Sequence, residues 1–270
     1  MGNRKRVLIT GGSSGIGKES ALFLANSGYD VFVGTREPKR LQEVKCSTLT
    51  PIFLDITSTK SIDLALKSVG DIDILINNAG YGLVSTIEDM CEEEMYNLFN
   101  INLFGLLRVS KAVIPTMRKN RSGIIINISS FLGKIGLPLL SLYNSSKYAV
   151  EGVTDSLRYE LKDFNIRVHS IMPGFFDTNF ARENLVVNSQ VFSKDSPYKK
   201  LVDNLAPTII KQINGGNNPK EIAKLILQII EDKDAKARYT AGKKSKKFIP
   251  MQKELSDEDF ERRVKEYYNL

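Results

Sequence analysis

Tyr143 and Lys147 stand four residues apart, a spacing that puts both side chains on one face of a helix. Together they can move a proton. Reducing a carbonyl takes hydride at carbon and a proton at oxygen, and neutral water holds few free protons, so a positioned acid must deliver one. A tyrosine has an unperturbed pKa near 10, and an ammonium beside it favours the phenolate and lowers that value. Lys147 is the candidate ammonium. Tyr239 and Lys243 repeat the spacing, so spacing alone decides nothing; this second pair is expected in the last strand and its loop, away from other reactive groups.

The second chemistry is phosphate binding. Thr10-Gly11-Gly12-Ser13-Ser14-Gly15-Ile16-Gly17 follows a short apolar run and precedes a helical pattern. Glycines at such a joint let the chain turn sharply and bring backbone N–H groups and the helix N-terminus to a pyrophosphate, which a Cβ would hinder.

The elements that must position these groups follow from alternation. Apolar runs at 7–10, 31–34, 52–55, 72–77, 124–129 and 168–171, with a weaker one at 238–241, alternate with helical patterns at 17–27 (closed by Gly28), 61–69, 92–118, 143–163 and 219–230. The last helix has Asn218 as N-cap and Pro219 in its first turn. Val- and Ile-rich runs alternating with helices predict βαβ units. The expected fold is α/β, a single-domain Rossmann-type doubly wound parallel sheet of about seven strands with helices on both faces. All 270 residues are expected in this one dinucleotide-binding and catalytic domain. Residues 181–217 break the alternation after the sixth strand, at the carboxyl ends where ligands bind in such sheets, and are expected to form a substrate lid.

In this frame the sequence resembles the short-chain dehydrogenase/reductase family, loosely its steroid and retinol dehydrogenase-like members. The resemblance rests on Gly11, Gly15 and Gly17 behind Thr10, Asp55 after the third strand, and Asn77-Asn78-Ala79-Gly80 after the fourth. It also rests on Asn102 within Asn100-Ile101-Asn102-Leu103-Phe104-Gly105, Ser130 thirteen residues before Tyr143, and Pro173-Gly174 after the sixth strand. It implies an oxidoreductase interconverting carbonyl and alcohol by hydride transfer. Ser130 would hold the substrate oxygen and Tyr143 would transfer the proton, while Lys147 grips the nicotinamide ribose. Asn102 would anchor a water relaying protons to Lys147. The cofactor would lie along Gly11, Ser13, Ser14, Gly15, Ile16 and Gly17, with Asp55 and Ile56 at adenine and Asn78, Ala79 and Gly80 at the adenosine ribose. Pro173, Gly174, the backbone of Phe176, and Thr178 would meet the nicotinamide. A homodimer or homotetramer is likewise implied by resemblance.

NADP(H) rather than NAD(H) is expected, because the second strand ends in Thr35 and Arg36 where NAD enzymes carry an acidic residue that repels a 2′-phosphate. Phe131, Leu132, Ile135, Leu137, Leu139 and Leu140 are candidate pocket residues, and an apolar lining selects a fairly apolar small carbonyl or alcohol substrate. A 3-ketoacyl-type reductase is the alternative enzyme. A non-catalytic dinucleotide-binding regulator would be expected to lack one of Asn102, Ser130, Tyr143 and Lys147, and all four are present.

Two cysteines and one histidine are too few for a metal site; Cys46 and Cys91 are expected as free thiols and His169 as a core residue. No run approaches the roughly 20 apolar residues of a membrane span. The start lacks a signal-peptide core, and Gly2 lacks the rest of a myristoylation pattern, so a cytoplasmic protein is expected. The net charge of +7 gathers in Lys236, Arg238, Lys243, Lys244, Lys246 and Lys247, expected as a solvated face rather than a nucleic-acid site.

Overall fold

A computed structural model describes residues 4–178 and 184–270; the Gly2 expectation and positions 181–183 of the lid lie outside the described residues. Strands β1 (Arg6–Thr10), β2 (Asp30–Thr35), β3 (Leu49–Phe53), β4 (Ile74–Asn77), β6 (Gly123–Ile128), β7 (Ile166–Pro173) and β9 (Arg238–Ala241) form one sheet. Its order is β3-β2-β1-β4-β6-β7-β9, and every pairing in it is parallel. The order reverses between β1 and β4, which opens a crevice at their carboxyl ends.

Strand residues serve the two faces alternately. Val7, Ile9, Val31, Val33, Ile74, Ile76, Ile124 and Ile126 pack with helices α1 (Gly15–Asn26) and α7 (Lys220–Glu231). Leu8, Leu75, Ile125 and Val168 face the other way, onto α2 (Thr59–Val69) and α4 (Leu106–Lys119). Burial on both faces is why these strands read as unbroken apolar runs. Pro51 is tolerated because β3 is an edge strand.

The third strand ends earlier than its apolar run suggests, so Asp55 stands past the strand in a turn, where Thr57 N–H (2.9 Å) and Thr57 Oγ1 (2.7 Å) donate to its Oδ1. The N-cap of α7 is Pro219 rather than Asn218, and Asn218 stands one residue before it, its Oδ1 accepting the Lys220 N–H at 2.9 Å. The long helix expected over 92–118 is α3 (Glu92–Phe99) joined to α4 through a π-helical stretch, Asn100–Gly105. This helix is long and apolar enough by length and composition to cross a membrane, but Leu106, Val109, Val113 and Met117 are buried along it, the latter three within the core on the α2 and α4 face of the sheet. Helix α5 (Ser141–Glu160) carries Tyr143 and Lys147.

Residues 184–217 are more regular than expected. They hold strand β8 (Leu185–Val187), paired in parallel with β5 (Gly82–Val84), then helix α6 (Lys199–Asn214). Beyond β9, helices α8 (Gly242–Glu254) and α9 (Asp257–Tyr268) close the chain. Lys243 therefore opens a helix rather than a loop. Lys236, Lys243, Lys246 and Lys247 are exposed, while Lys244 and Lys247 sit over the Tyr267 ring at 4.2 and 4.3 Å. The basic segment is thus partly absorbed in packing.

Candidate active site

The glycine turn takes its shape from close contacts. Gly11 has φ +63° and a Cβ there would meet Ala79 Cα at 2.7 Å; a Cβ on Gly17 would meet Asn78 Nδ2 at 2.5 Å. The Asn78 amide is the brace: its Nδ2 donates to the Thr10 and Gly11 carbonyls at 3.1 and 2.9 Å. Thr10 Oγ1 in turn accepts the N–H groups of Asn78 and Ala79, both at 3.1 Å. The Asn-Asn-Ala-Gly and glycine-rich segments are therefore one bonded unit. Beneath it, buried Asn77 donates to Ser110 Oγ and Asn127 Oδ1 at 3.0 and 2.9 Å. The N-terminus of α1 opens from this turn into a cleft of about 890 Å³, and Thr178 lies over Gly15 on its other wall.

At the end of β2, Thr35 is buried, donates to Ser13 Oγ at 3.1 Å and accepts the Glu37 N–H at 3.1 Å. Arg36 is exposed at the cleft. Glu37 ion-pairs with Arg40, so the guanidinium facing the cleft is not consumed by its acidic neighbour. Burial works against the Asp55 carboxylate, yet the Thr57 hydrogen bonds and the charges of Arg36 and Arg108 outweigh it and hold its pKa below the usual value.

Ser130, Tyr143 and Lys147 line the same cleft farther along. Ser130 caps a short 3-10 turn, Phe131–Gly133, its Oγ accepting the Leu132 N–H at 3.1 Å. Burial pushes the Tyr143 pKa up to about 12, and the neighbouring Ser130 hydroxyl opposes the rise. This corrects the expectation of a lowered value: Lys147 Nζ lies 5.8 Å from the Tyr143 ring centre and donates to the Ile128 carbonyl at 3.0 Å. Burial takes Lys147 down to about 8, and Glu151 works against that fall. The pair therefore presents a protonated phenol beside an amine that titrates near neutrality, the protonation needed to give a proton to a carbonyl oxygen.

Asn102 lies in the π-helical stretch, a place where such distortions often mark function. Its Nδ2 donates to Tyr81 O at 2.9 Å and to Ser146 Oγ at 3.2 Å, and its Oδ1 accepts the Tyr81 N–H at 2.9 Å. Both N–H donors are spent on protein, so the expected water relay would have only the remaining Oδ1 lone pair of this side chain. Gly80 must lack a side chain here, since a Cβ would come to 3.0 Å from Asn102 Oδ1.

The remaining candidates divide. Gly15, Ile16, Ile56, Pro173, Gly174, Phe176, Phe131, Leu132 and Leu140 line the cleft. Ile135, Leu137 and Leu139 do not; they pack with Val191, Val202 and Leu205 under α6. The chain folds back after Gly133, with Leu139 at φ +62° and its carbonyl accepting the Ser85 N–H at 2.8 Å, which turns these side chains inward. The cleft is lined instead by Leu83 and Val84 of β5, Leu185 and Val186 of β8, and Ile209 and Ile213 of α6. Sequence reasoning named none of these six, although four fall within the expected lid, where the Leu-Val-Val run at 185–187 and the i, i+4 isoleucines were signals. His169 is a core residue: Nδ1 is 2.7 Å from Lys236 O and burial lowers its pKa. Cys46 and Cys91 are free thiols.

A family model described as short chain dehydrogenase matches residues 5–186. The chain belongs to the short-chain dehydrogenase family. It is an oxidoreductase of that family and shares 34% identity over 255 residues with a 3-ketodihydrosphingosine reductase of Bacteroides thetaiotaomicron, covering 90% of this chain and 93% of the relative. It shares 34% over 242 residues with retinol dehydrogenase 8 of Bos taurus, 84% of this chain and 78% of the relative. Among solved structures, a short-chain dehydrogenase from Streptomyces avermitilis superposes with a TM-score of 0.84 at 28% identity, covering 100% and 97% of the two chains. ElxO with NADP bound superposes at 0.71 with 25% identity, covering 88% and 97%. The short-chain dehydrogenase fold thus accounts for the whole sheet and for both ends of the cleft.

Proposed function

We propose that this short-chain dehydrogenase is an NADP(H)-dependent reductase of fairly apolar ketones or aldehydes, with Tyr143 as the proton donor. The observation that carries the reading is the Tyr143 phenol, set with Ser130 and Lys147 on the wall of the cleft that begins at the glycine turn and held in its acid form by burial.

The residues fit a dinucleotide. A Cβ at Gly11 or Gly17 would run into Ala79 or Asn78 and force the turn out of shape, and Ser14, Gly15 and Ile16 at the start of α1 line the cleft, where a helix N-terminus suits an anion. Gly11, Ser13, Ser14 and Gly15 would hold the diphosphate, Thr35 and Arg36 a 2′-phosphate, Asp55 and Ile56 the adenine, and Pro173, Gly174 and Thr178 the nicotinamide amide. When bound, the cofactor supplies the hydride. Ser130 holds the substrate oxygen, Tyr143 gives it a proton, and Lys147 keeps a positive charge beneath both. NADP in a structural relative and the lipid-like substrates in the names of two sequence relatives support the cofactor and the apolar substrate class. So do the aliphatic side chains of β5, β8 and α6 at the cleft.

The test is a panel of apolar ketones and aldehydes with NADPH, followed by the absorbance of the reduced nicotinamide. Turnover that falls at least about a hundredfold in Tyr143→Phe supports the reading. NADPH binding without turnover of any panel member would overturn it.

A further inference from the structure

Glu151 lies one helical turn beyond Lys147 on α5 and is 2% exposed. A carboxylate that deep stays charged only when paired. Its Oε2 accepts from Arg238 Nε at 2.6 Å and lies 3.9 Å from Lys134 Nζ, while its Oε1 has no hydrogen-bond partner among the described residues. Arg238 is also paired with Asp155, one turn farther along α5, at 2.5 Å.

The placement of these charges matters. Lys134 ends the turn that begins at Ser130, and Arg238 starts β9, so Glu151 ties the Ser130 loop and the last strand to the helix that carries Tyr143 and Lys147. From other elements, the Ile128 carbonyl accepts from Lys147 Nζ at 3.0 Å and the Gly80 backbone lies beside it, while the cations Lys134 and Arg238 reach the Glu151 carboxylate. On its own helix stand Tyr143, a neutral phenol, and Glu151. The direct ion pairs of Glu151 run to Arg238 and Lys134, and one turn along α5 from Lys147 its charge favours the buried ammonium.

We propose that Glu151 is a positioning residue for Lys147, the counter-charge that keeps its amine protonated and that fixes the Ser130 loop against α5. The role of Lys147 in turnover rests on the reductase reading above; the charge coupling does not. Removing the carboxylate charge leaves the ammonium buried against dipoles alone, so it loses its proton at lower pH. Weakening the competing cation at Lys134 strengthens the field of Glu151 on Lys147 and moves the amine the other way.

The test follows the Lys147 side-chain 13Cε resonance against pH in lysine-labelled full-length protein, with no cofactor or substrate added, assigned by its loss in Lys147→Met. Glu151→Gln should lower the titration midpoint by about one pH unit, the scale of one nearby opposite charge, and Glu151→Asp should restore most of it. Lys134→Gln, a change at a half-exposed side chain that leaves the fold standing, should raise the midpoint. Midpoints unmoved in folded Glu151→Gln, or in Lys134→Gln should Glu151→Gln fail to fold, would overturn the proposal. In turnover assays the alkaline fall in rate should move with the midpoint, and a rate profile indifferent to it would also overturn the positioning role. A wild-type protein that turns nothing over would sink the reductase reading alone, because the resonance is read without substrate.

Discussion

Asn102 holds Tyr81 by both backbone groups, accepting its N–H and donating to its carbonyl, each at 2.9 Å. This is the bonding one strand offers another, supplied by a single side chain from a π-helical turn. It fixes the chain just after Asn78-Ala79-Gly80 and just before β5, so the nucleotide end and the apolar wall share one anchor. Asn102→Leu leaves a buried N–H and a buried carbonyl without partners, at about 1–3 kcal/mol each when unsatisfied. The expected outcome is a fall in denaturant midpoint with an unchanged slope, together with weaker NADPH binding, read by fluorescence. Full stability with loss of rate alone would show that the amide acts on the reaction and not on the backbone.

The proton donor separates from its support by mutation. Tyr143→Phe keeps the ring that packs at the cleft and removes the proton, so kcat should drop at least about a hundredfold while NADPH affinity barely moves. Ser130→Ala removes the hydroxyl that opposes the raised Tyr143 pKa and should cost kcat without unfolding the loop beyond its lost cap. Near wild-type rates in either variant would reassign the donor.

The pH dependence has a definite sign. Burial depresses Lys147 to about 8, so its ammonium is populated below that pH and lost above it, whereas Tyr143, at about 12, stays protonated throughout. The alkaline fall in kcat/KM for reduction is therefore expected near pH 8 and belongs to Lys147. Lys147→Arg, which keeps its proton, should abolish that limb if it still binds cofactor. Stability runs the other way. Between about 8 and the ordinary lysine value the unfolded chain binds more protons than the folded one, so this group makes the protein more stable as pH rises. Melting temperature against pH, compared with Lys147→Met, reads the difference.

Much of this site is visible in the sequence because parallel strands buried on both faces and their connecting turns leave strong local signals. Gly11 and Gly17 announce close backbone approaches, and Ser130, Tyr143 and Lys147 keep fixed spacings along one strand, loop and helix. What stays hidden depends on tertiary packing. Leu83 and Val186 come side by side at the cleft only because two three-residue strands, 103 positions apart in the chain, pair. Ile135, Leu137 and Leu139 look like pocket residues until a left-handed Leu139 turns the segment inward. The Tyr143 pKa cannot be read from the Lys147 spacing, since the amine is drawn to the Ile128 carbonyl and burial decides the rest.

Cofactor choice is the sharpest remaining question, and it is set where β2 ends. An acidic residue there would accept hydrogen bonds from the adenosine ribose and repel a 2′-phosphate. Thr35 instead offers a buried hydroxyl bonded to Ser13, and the next side chain, Arg36, stands exposed at the cleft where its guanidinium can fork onto a phosphate and stack on adenine. Glu37, the nearest acid in sequence, is turned to Arg40 and so does not neutralise it. The Asp55 carboxylate sits close enough to feel Arg36, and both line the same cleft. The protein should therefore prefer NADPH, and Thr35→Asp combined with Arg36→Ala should shift preference toward NADH by about 2–4 kcal/mol, the scale of breaking a partly buried charge pair. The ratio of kcat/KM for the two cofactors measures it, with dissociation constants taken separately to show that the change lies in binding. A wild-type ratio favouring NADH would refute the assignment of Arg36 before any variant is made. A double variant with an unchanged ratio would place the phosphate contact on other cations of the same rim, Arg40 foremost.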